Sequence, residues 1–521
     1  MHRLRGAQFV LIFVFLWQTT ARASDLDVIG VTLLRTVTTN LNGTNIRVGQ
    51  AEAGAPNWEV NPGVVGQPTN RFTYFYGTSP YSSVSLATAF TNSLGLESSH
   101  ADMVAGNCYG LSGGVATNVV RVDNYEANTV INYYVNQGHL ISGRVMNQSF
   151  ASDTYNPTLD QIYDNYAASN GVLFVTGAQF NGAPIASPAT CYNGIGVGVS
   201  DAPSPPPPYG PTPDGRSKPD IAAPGQFASY TTAYVSGAAV LLIQAGLRGD
   251  GGGGGATNAA VDLRTVKALL LNGAIKPADW TNSTFAPLDI FYGAGVLNVF
   301  NSYKQLAGGR HGFIVSTGGL TNSPHPPTGA TGTVSGLSGW DFNTNSTSAR
   351  SNVVNHYYFN VTNGVSNATF TATITLVWNR HRTNSLINNL DLFLYDARSS
   401  NLVTCSTSRV DNVEHIFVPH LPPGRYDLQV FKSGGATVTT NEPYALAYEF
   451  FSMGLNVARS GTNAVLKWPI YPAGFILEST ANLIPPVVWS ASNPAPGVTN
   501  NQNIAVLNAA GPNRFFRLRR P

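Results

Sequence analysis

Charge is what this sequence has least of. Asp, Glu, Lys and Arg make up 11% of its 521 residues, against about 25% in an ordinary soluble protein. Gly, Asn, Thr and Ser fill the gap, giving a polar, loop-rich surface that suits a secreted protein better than a cytosolic one. The formal net charge is +2, and no Lys/Arg run occurs away from the termini. That leaves no phosphate-binding surface, and nucleic acid is excluded as an expected partner. Cysteine is scarce as well. Cys108, Cys191 and Cys405 are too few, and odd in number, for a disulfide framework. Buried free thiols are the expected state, with Cys108 and Cys191 the one pair to consider for a bridge. No Cys/His spacing resembles a structural zinc site. After the N-terminus no run is long and apolar enough to read as a membrane span.

The N-terminus carries the one short apolar run that matters. His2, Arg3 and Arg5 precede the stretch from Ala7 to Trp17, and Ala21-Arg22-Ala23 follows with small-x-small spacing. This pattern predicts a secretory signal peptide over residues 1–23, and hence a secreted, extracellular or periplasmic protein. The length that remains predicts several domains. From Ser24 to about Arg310, short apolar runs alternate with helical stretches. Asn45 to Ala51, Val172 to Thr176 and Ile195 to Val199 read as strands, the last two as buried ones. Leu159 to Ala168, Val261 to Asn272 and Thr231 to Gln244 have helical spacing. Alternation of this kind predicts an α/β domain with a covered parallel sheet over residues 24–310.

A Gly/Pro/Thr-rich linker is expected over 311–337, and beyond it strand follows strand. His356 to Val361, Thr369 to Val377, Leu390 to Tyr395, Ile416 to Val418, Arg425 to Phe431 and Tyr444 to Phe450 are all β-like. Close spacing without helices predicts a β-sandwich of jelly-roll type over 338–451. Val465 to Trp468, Phe475 to Glu478 and Arg514 to Leu518 predict a small terminal β module over 452–521.

Histidine is rare before residue 310, where only His100 and His139 follow the signal peptide. His139 sits in a turn-like context and carries no assignment. His100 opens the stretch His100 to Gly106 (HADMVAG), whose small residues let another segment approach the imidazole. Phe227 to Ala239 (FASYTTAYVSGAA) puts Ser229 at a helix start, where backbone N–H groups are free. Val48 to Gly54 (VGQAEAG) overlaps the expected strand Asn45 to Ala51 and carries Glu52. A hydroxyl, a base, a carboxylate to orient the base and donors for an oxyanion are the parts of a serine hydrolase.

These segments resemble the subtilase family of serine peptidases. HADMVAG resembles that family's HGTHVAG, and FASYTTAYVSGAA resembles GTSxAxPHVAGAA. Glu52 stands where the family has the Asp of Asp-x-Gly. Asn147 to Phe150 (NQSF) resembles the strand lining the substrate cleft, and Gly171 to Asn181 (GVLFVTGAQFN) the strand leading to the oxyanion asparagine. Ser217 to Gly225 (SKPDIAAPG) resembles the stretch before the nucleophile, and Tyr292 to Val296 a late turn. The resemblance implies a subtilisin-like parallel sheet with helices on both faces, with the β modules lying beyond it. It implies a secreted serine endopeptidase acting on polypeptides, with Ser229 as nucleophile, His100 as base, Glu52 as orienting carboxylate and Asn181 at the oxyanion. Ser149, Phe150 and Ala151 would pair with an extended substrate.

The resemblance implies no required cofactor. Structural calcium is an option for oxygen-rich loops, and no metal ligands are assigned. The departures are Ala101, Asp102 and Met103 in the histidine motif, and Phe227, Ala228, Ala233 and Tyr234 in the serine motif. Between Ala23 and Glu52 there is no room for the pro-region that family members carry. The departures keep open a catalytically inactive subtilase-fold module that binds or decorates a surface. The β modules would serve attachment to a cell surface or polysaccharide, or simply as ballast.

Overall fold

The computed structural model describes residues 24–53, 57–77, 87–152, 154–178, 185–201, 210–252, 257–314, 332–348, 351–352, 354–362, 369–382, 386–433, 438–492, 494–499, 502–509 and 514–519. The expected signal peptide, much of the expected linker and Asn181 lie outside them.

The first unit is built on an eight-stranded sheet. Its strands are β1 (Arg47–Glu52), β2 (Phe72–Gly77), β3 (Ala87–Phe90), β4 (Arg121–Glu126), β5 (Val145–Gln148), β6 (Leu173–Gly177), β7 (Ile195–Val199) and β8 (Ile221–Ala223), in the order β3-β2-β4-β1-β5-β6-β7-β8. Every pairing is parallel except that of the edge strand β3 with β2. β6 and β7 are buried along their whole length, which is why they read as continuous apolar runs. Among the described residues eight α-helices belong to this unit, beside a π-helical segment at Thr129–Asn136 and a 3-10 turn at Thr69–Arg71: α1 (Asp25–Val28), α2 (Val31–Val37), α3 (Ser99–Tyr109), α4 (Pro157–Asn170), α5 (Ala228–Arg248), α6 (Thr257–Ala260), α7 (Leu263–Gly273) and α8 (Val299–Ala307). They cover both faces of the sheet. Gly177 at the end of β6 abuts Ala228 of α5. Phe174, an odd number of residues back and so on the opposite face, meets the rings of Tyr163 and Tyr166 of α4 edge-on.

Local sequence sets the helix ends. α4 starts where Asn156 accepts the N–H groups of Thr158 and Leu159, with Pro157 next, and stops at Gly171 in the left-handed region, φ 65°. α5 is long and apolar enough to cross a bilayer, but it packs inside the protein against β5, β6 and β7. A side chain at Gly237 would strike Val115 and the Cys108 carbonyl. That small residue lets α5 lie close to α3.

The second unit is a sandwich of two antiparallel sheets. Its strands are β9 (Ser338–Ser348), β10 (Ser351–Asn352), β11 (Val354–Val361), β12 (Phe370–Trp378), β13 (Asn389–Asp396), β14 (Leu402–Ser406), β15 (Val413–Leu421), β16 (Gly424–Ser433) and β17 (Asn441–Phe451). They form the sheets β10-β9-β17-β12-β15 and β11-β16-β13-β14. Leu392, Leu394, Leu428 and Val430 face Ile374, Leu376, Tyr448 and Phe450 across the core.

The two units share a buried seam. Asn272 Oδ1 on α7 accepts the hydroxyls of Thr373 and Thr375 at 3.1 and 3.0 Å. Asn193 and Arg380 exchange two backbone-to-side-chain bonds at 2.9 Å, and Asp411 takes the Ser217 N–H at 2.7 Å. Trp340, Val377, Ala445 and Ala447 of the sandwich join the core of the first unit. β12 is therefore buried on both faces, with its threonines turned to α7. The remaining strands are β18 (Asn456–Ser460), β19 (Asn463–Pro469), β20 (Ile476–Thr480), β21 (Ser490–Ala491), β22 (Gly497–Thr499), β23 (Gln502–Asn508) and β24 (Phe515–Arg519). They close a small core around Trp468, Leu466, Leu477 and Leu507.

Candidate active site

Glu52 is the last residue of β1, the strand at which the chain crosses from one side of the sheet to the other, and it opens at the carboxyl edge where ligands collect in such sheets. It is only 1% exposed. Two residues back, on the same face of the strand, Gln50 donates its amide to Glu52 Oε1 at 2.8 Å and to Ala101 O at 3.0 Å. Gln50 Oε1 takes the Tyr109 hydroxyl at 2.6 Å. Ser98 caps α3 through the Ala101 N–H, and that start puts His100 in the first turn, directly over Glu52. His100 Nδ1 lies 2.9 Å from Glu52 Oε2. A carboxylate there fixes the proton on Nδ1 and leaves Nε2 as the acceptor. Nε2 has no partner among the described residues, and the His100 side chain is 42% exposed.

The hydrogen bond to Glu52, and then its charge, raise the His100 pKa against an opposing desolvation. Burial is the largest influence on Glu52 and pushes its carboxyl up, while the bonds from His100 and Gln50 pull it back. The pair is thus a buried acid held in place from below and an imidazole open above.

Ser229 is the second residue of α5. The N-cap is Phe227, which offers no side-chain cap, and no described residue accepts the Ser229 N–H. The first turn of this helix keeps a free donor and the positive end of its dipole beside the serine hydroxyl. The position is held from β5: Ser149 Oγ donates to the Ser229 carbonyl at 3.0 Å, Asn147 Nδ2 to Ser149 Oγ at 3.1 Å, and Ser236 of α5 to Asn147 Oδ1 at 2.9 Å. The Tyr230 ring, one residue on, is centred 6.3 Å from the His100 ring. No hydrogen bond joins His100 to Ser229. Glu52 and His100 are therefore bonded to each other, and neither is bonded to Ser229.

Ser149 is buried with its hydroxyl turned to Ser229, and Phe150 is buried in the core. Ala151 is half-exposed. The N–H groups of Phe150 and Ala151 have no partner among the described residues. Asn181 lies outside those residues; the described strand β6 leads toward it past the first turn of α5. Cys108, Cys191 and Cys405 are free thiols, the first two buried, and burial pushes Cys108 up to about 12. His139 stacks on Tyr133, ring centroids 3.9 Å apart. No group of three or more His, Cys, Asp or Glu among the described residues is arranged to hold a metal.

Sequence reasoning missed Gln50 and Tyr109, which tie Glu52 to α3. A polar residue at i−2 from a strand-end acid in an otherwise small-residue strand was the available signal. It also missed the cluster behind the serine motif. Lys218 and Lys267 lie 2.5 and 2.8 Å from the Asp220 carboxylate, all three buried. Burial alone would raise the Asp220 pKa, but the two ammonium groups outweigh it and hold it below the usual range. The cluster pins β8, and so the approach to α5, to α7.

The sequence profile described as "Subtilase family" matches residues 96–295. No curated protein sequence matches the chain. Among solved structures, the Patellamide maturation protease PatG aligns over 54% of this chain and 98% of its own at 14% identity, with a TM-score of 0.39. Tripeptidyl Peptidase 2 aligns over 75% of this chain and 43% of its own at 13% identity, with a TM-score of 0.29.

Proposed function

We propose, for a chain whose residues 96–295 belong to the subtilase family, that it is a secreted serine endopeptidase cutting extended polypeptides through an acyl-enzyme. The single observation that carries the reading is the 2.9 Å contact of His100 Nδ1 with a buried acid, beside a serine at an uncapped helix start. In the proposed cycle His100 Nε2 takes the proton of Ser229 Oγ as the oxygen attacks the scissile carbonyl. Glu52 stabilises the imidazolium and holds its orientation. The Ser229 N–H, with the side chain of Asn181, receives the oxyanion. His100 returns its proton to the leaving amine, and water then releases the acyl group by the same path in reverse. The lack of a hydrogen bond between His100 and Ser229 is compatible with a site that tightens when substrate binds. Phe150 and Ala151 offer backbone N–H groups for strand pairing with the acyl half of the substrate. Glu in place of Asp is one methylene longer, and Gln50 beneath it supports the longer reach.

Incubation of the mature protein with a fluorophosphonate tests this. Covalent labelling is expected at Ser229, absent in Ser229→Ala and much weaker in His100→Ala. A second reading, a catalytically inactive module, is favoured by the missing His100–Ser229 bond; it requires intact folding and no labelling. Export is part of the proposal, and N-terminal sequencing of exported protein is expected to begin at Ser24. Structural calcium and surface attachment through the β modules remain proposals of the same kind, tested by chelation and by binding of the exported protein to polysaccharide.

A further inference from the structure

A cleft of about 990 Å³ lies between α3 and α5, lined by Asp102 and Met103, which follow His100 on α3, and by Phe227 and Tyr230, which bracket Ser229 in the chain. The Tyr230 ring, centred 6.3 Å from that of His100, lines the cleft together with Met103, whose Sδ takes the Tyr230 hydroxyl at 3.1 Å. None of Ser149, Phe150 and Ala151 lines it. The acyl half of a substrate laid along Phe150 and Ala151 therefore lies elsewhere. The half that departs takes its proton from His100 and must leave on the imidazole's side.

The cleft has room for a side chain and the charge to choose one. Gly106 of α3 lines it, and a Cβ placed on that glycine would meet nothing within 4 Å. Its volume is at the upper end of ordinary ligand sites. Asp25, Asp102 and Asp201 line it, and no Lys, Arg or His does among the described residues. Asp25 takes the Tyr234 hydroxyl at 3.1 Å and Asp102 the Asn61 N–H at 2.7 Å, both neutral donors. Neither is ion-paired with a Lys or Arg among the described residues.

We propose that this cleft receives the leaving-group half of the substrate and selects a lysine or arginine side chain there; the inference rests on the peptidase reading above. The test uses the mature Ser229→Ala protein, so that binding is read without turnover. Three fluorescent peptides share one acyl half and differ in a single leaving-side residue: Lys, norleucine or Glu. The Lys peptide is expected to bind about tenfold more tightly than the norleucine peptide, the scale of two or three solvent-screened charge contacts, with the Glu peptide weakest. The gap is expected to narrow at high salt and in Asp102→Asn, whose amide oxygen keeps the Asn61 bond. Gly106→Leu, which fills the cleft, is expected to weaken the Lys peptide most. Equal affinity for all three peptides, or a Lys preference untouched by both substitutions, overturns the proposal. Labelling of Ser229 in the wild-type protein is scored separately. Its failure removes the peptidase reading, whereas labelling without a Lys preference removes only the cleft assignment.

Discussion

Replacing Glu52 by Gln is expected to do more than delete a charge, because Gln50 dictates which way the new amide points. Glu52 Oε1 accepts from Gln50 at 2.8 Å while Oε2 faces His100 Nδ1 at 2.9 Å. A Gln at this position has one oxygen and one NH2 to serve those two neighbours. Gln50 is committed as the donor, since its oxygen takes the Tyr109 hydroxyl and its NH2 also holds Ala101 O. The new amide must therefore turn its oxygen to Gln50 and its NH2 to His100. An NH2 facing Nδ1 makes that nitrogen the acceptor and moves the proton to Nε2, the atom that has to receive the serine proton. A wrong tautomer of this kind costs about 10⁴ in kcat, or about 5.5 kcal/mol of barrier. The double variant Gln50→Leu/Glu52→Gln decides whether the reasoning is right. With no donor at position 50 the amide is free to flip and accept Nδ1–H. The double variant is then expected to run about ten- to a hundredfold faster than Glu52→Gln alone, a coupling within the range of contacting residues. It is also expected to lose about 1–3 kcal/mol of stability from the orphaned Tyr109 hydroxyl. The assay is kcat/KM on an internally quenched peptide, with melting followed by circular dichroism. A double variant as slow as the single one refutes the argument.

Glu52→Asp moves the carboxylate back by about 1.5 Å and breaks the His100 contact, so kcat/KM is expected to fall roughly a hundredfold with the fold intact; unchanged turnover would contradict it. In the proposed cycle His100 must be neutral to act, and its pKa is raised by Glu52, so activity is expected to be lost as pH falls through a value above the ordinary ~6.5 of imidazole. In Glu52→Gln that acid limb moves to lower pH, since the group favouring the imidazolium is gone, and a stationary limb would assign the titration to another residue. Arg380→Met strips the ion partner at 3.3 Å from the buried Asp164 and is expected to cost about 3 kcal/mol at pH 7.5. The cost shrinks at pH 5, because burial has already raised Asp164 to about 6 and it takes up a proton; denaturant titrations showing equal losses at both pH values would count against this. Burial likewise raises Asp411 to about 6 and Asp391 to about 7. Between about pH 4 and those values these three carboxyls bind more protons in the folded than in the unfolded chain, so their contribution to stability rises as pH falls, opposed in part by buried His415, whose imidazole is held well below its usual range. Tm is expected to be about 2–4 °C higher at pH 5 than at pH 7.5, and calorimetry finding the reverse slope would refute it.

The readable parts of the fold were those where burial acts on both faces. β7 spans the same five residues in sequence and structure, Ile195–Val199, because a strand covered by helices leaves an uninterrupted apolar run. β4 was invisible for the opposite reason. Its sequence RVDNYE looks like a loop, yet Asp123, Asn124 and Glu126 are buried. Each has a distant or local partner: Arg47 pairs with Asp123 at 2.6 Å, the Val60 N–H with Asn124, and Glu126 takes the Asn128 and Thr129 N–H groups. Such satisfaction is a property of the fold, with no trace in local periodicity. The same holds for the site. Glu52 and His100 lie in recognisable segments, while Gln50 and Tyr109 matter only because α3 descends onto β1.

The departures from the serine and histidine motifs bear on whether the site is altered or decayed. The motif's glycine is Phe227 here, at φ −137° and ψ 146°, extended backbone open to any L-residue. The substitution therefore adds no backbone strain at the helix start, and the Phe227 ring meets Tyr230 edge-on at 5.6 Å. The motif's second histidine is Met103, whose sulfur takes the hydroxyl of Tyr230. Its threonine is Asp102, which caps the Asn61 N–H, and the histidine of its Pro-His pair is Tyr234, which reaches Asp25. Phe227 and Met103 thus share Tyr230 as a neighbour, Asp102 accepts from Asn61 and Tyr234 donates to Asp25, and Phe227, Met103, Asp102 and Tyr234 all line the same cleft. The Glu52–His100 bond and the Ser229 N–H without a partner among the described residues coexist with all of these exchanges, so on the proposed peptidase reading the exchanges alter the cleft wall and leave the three proposed catalytic groups in place.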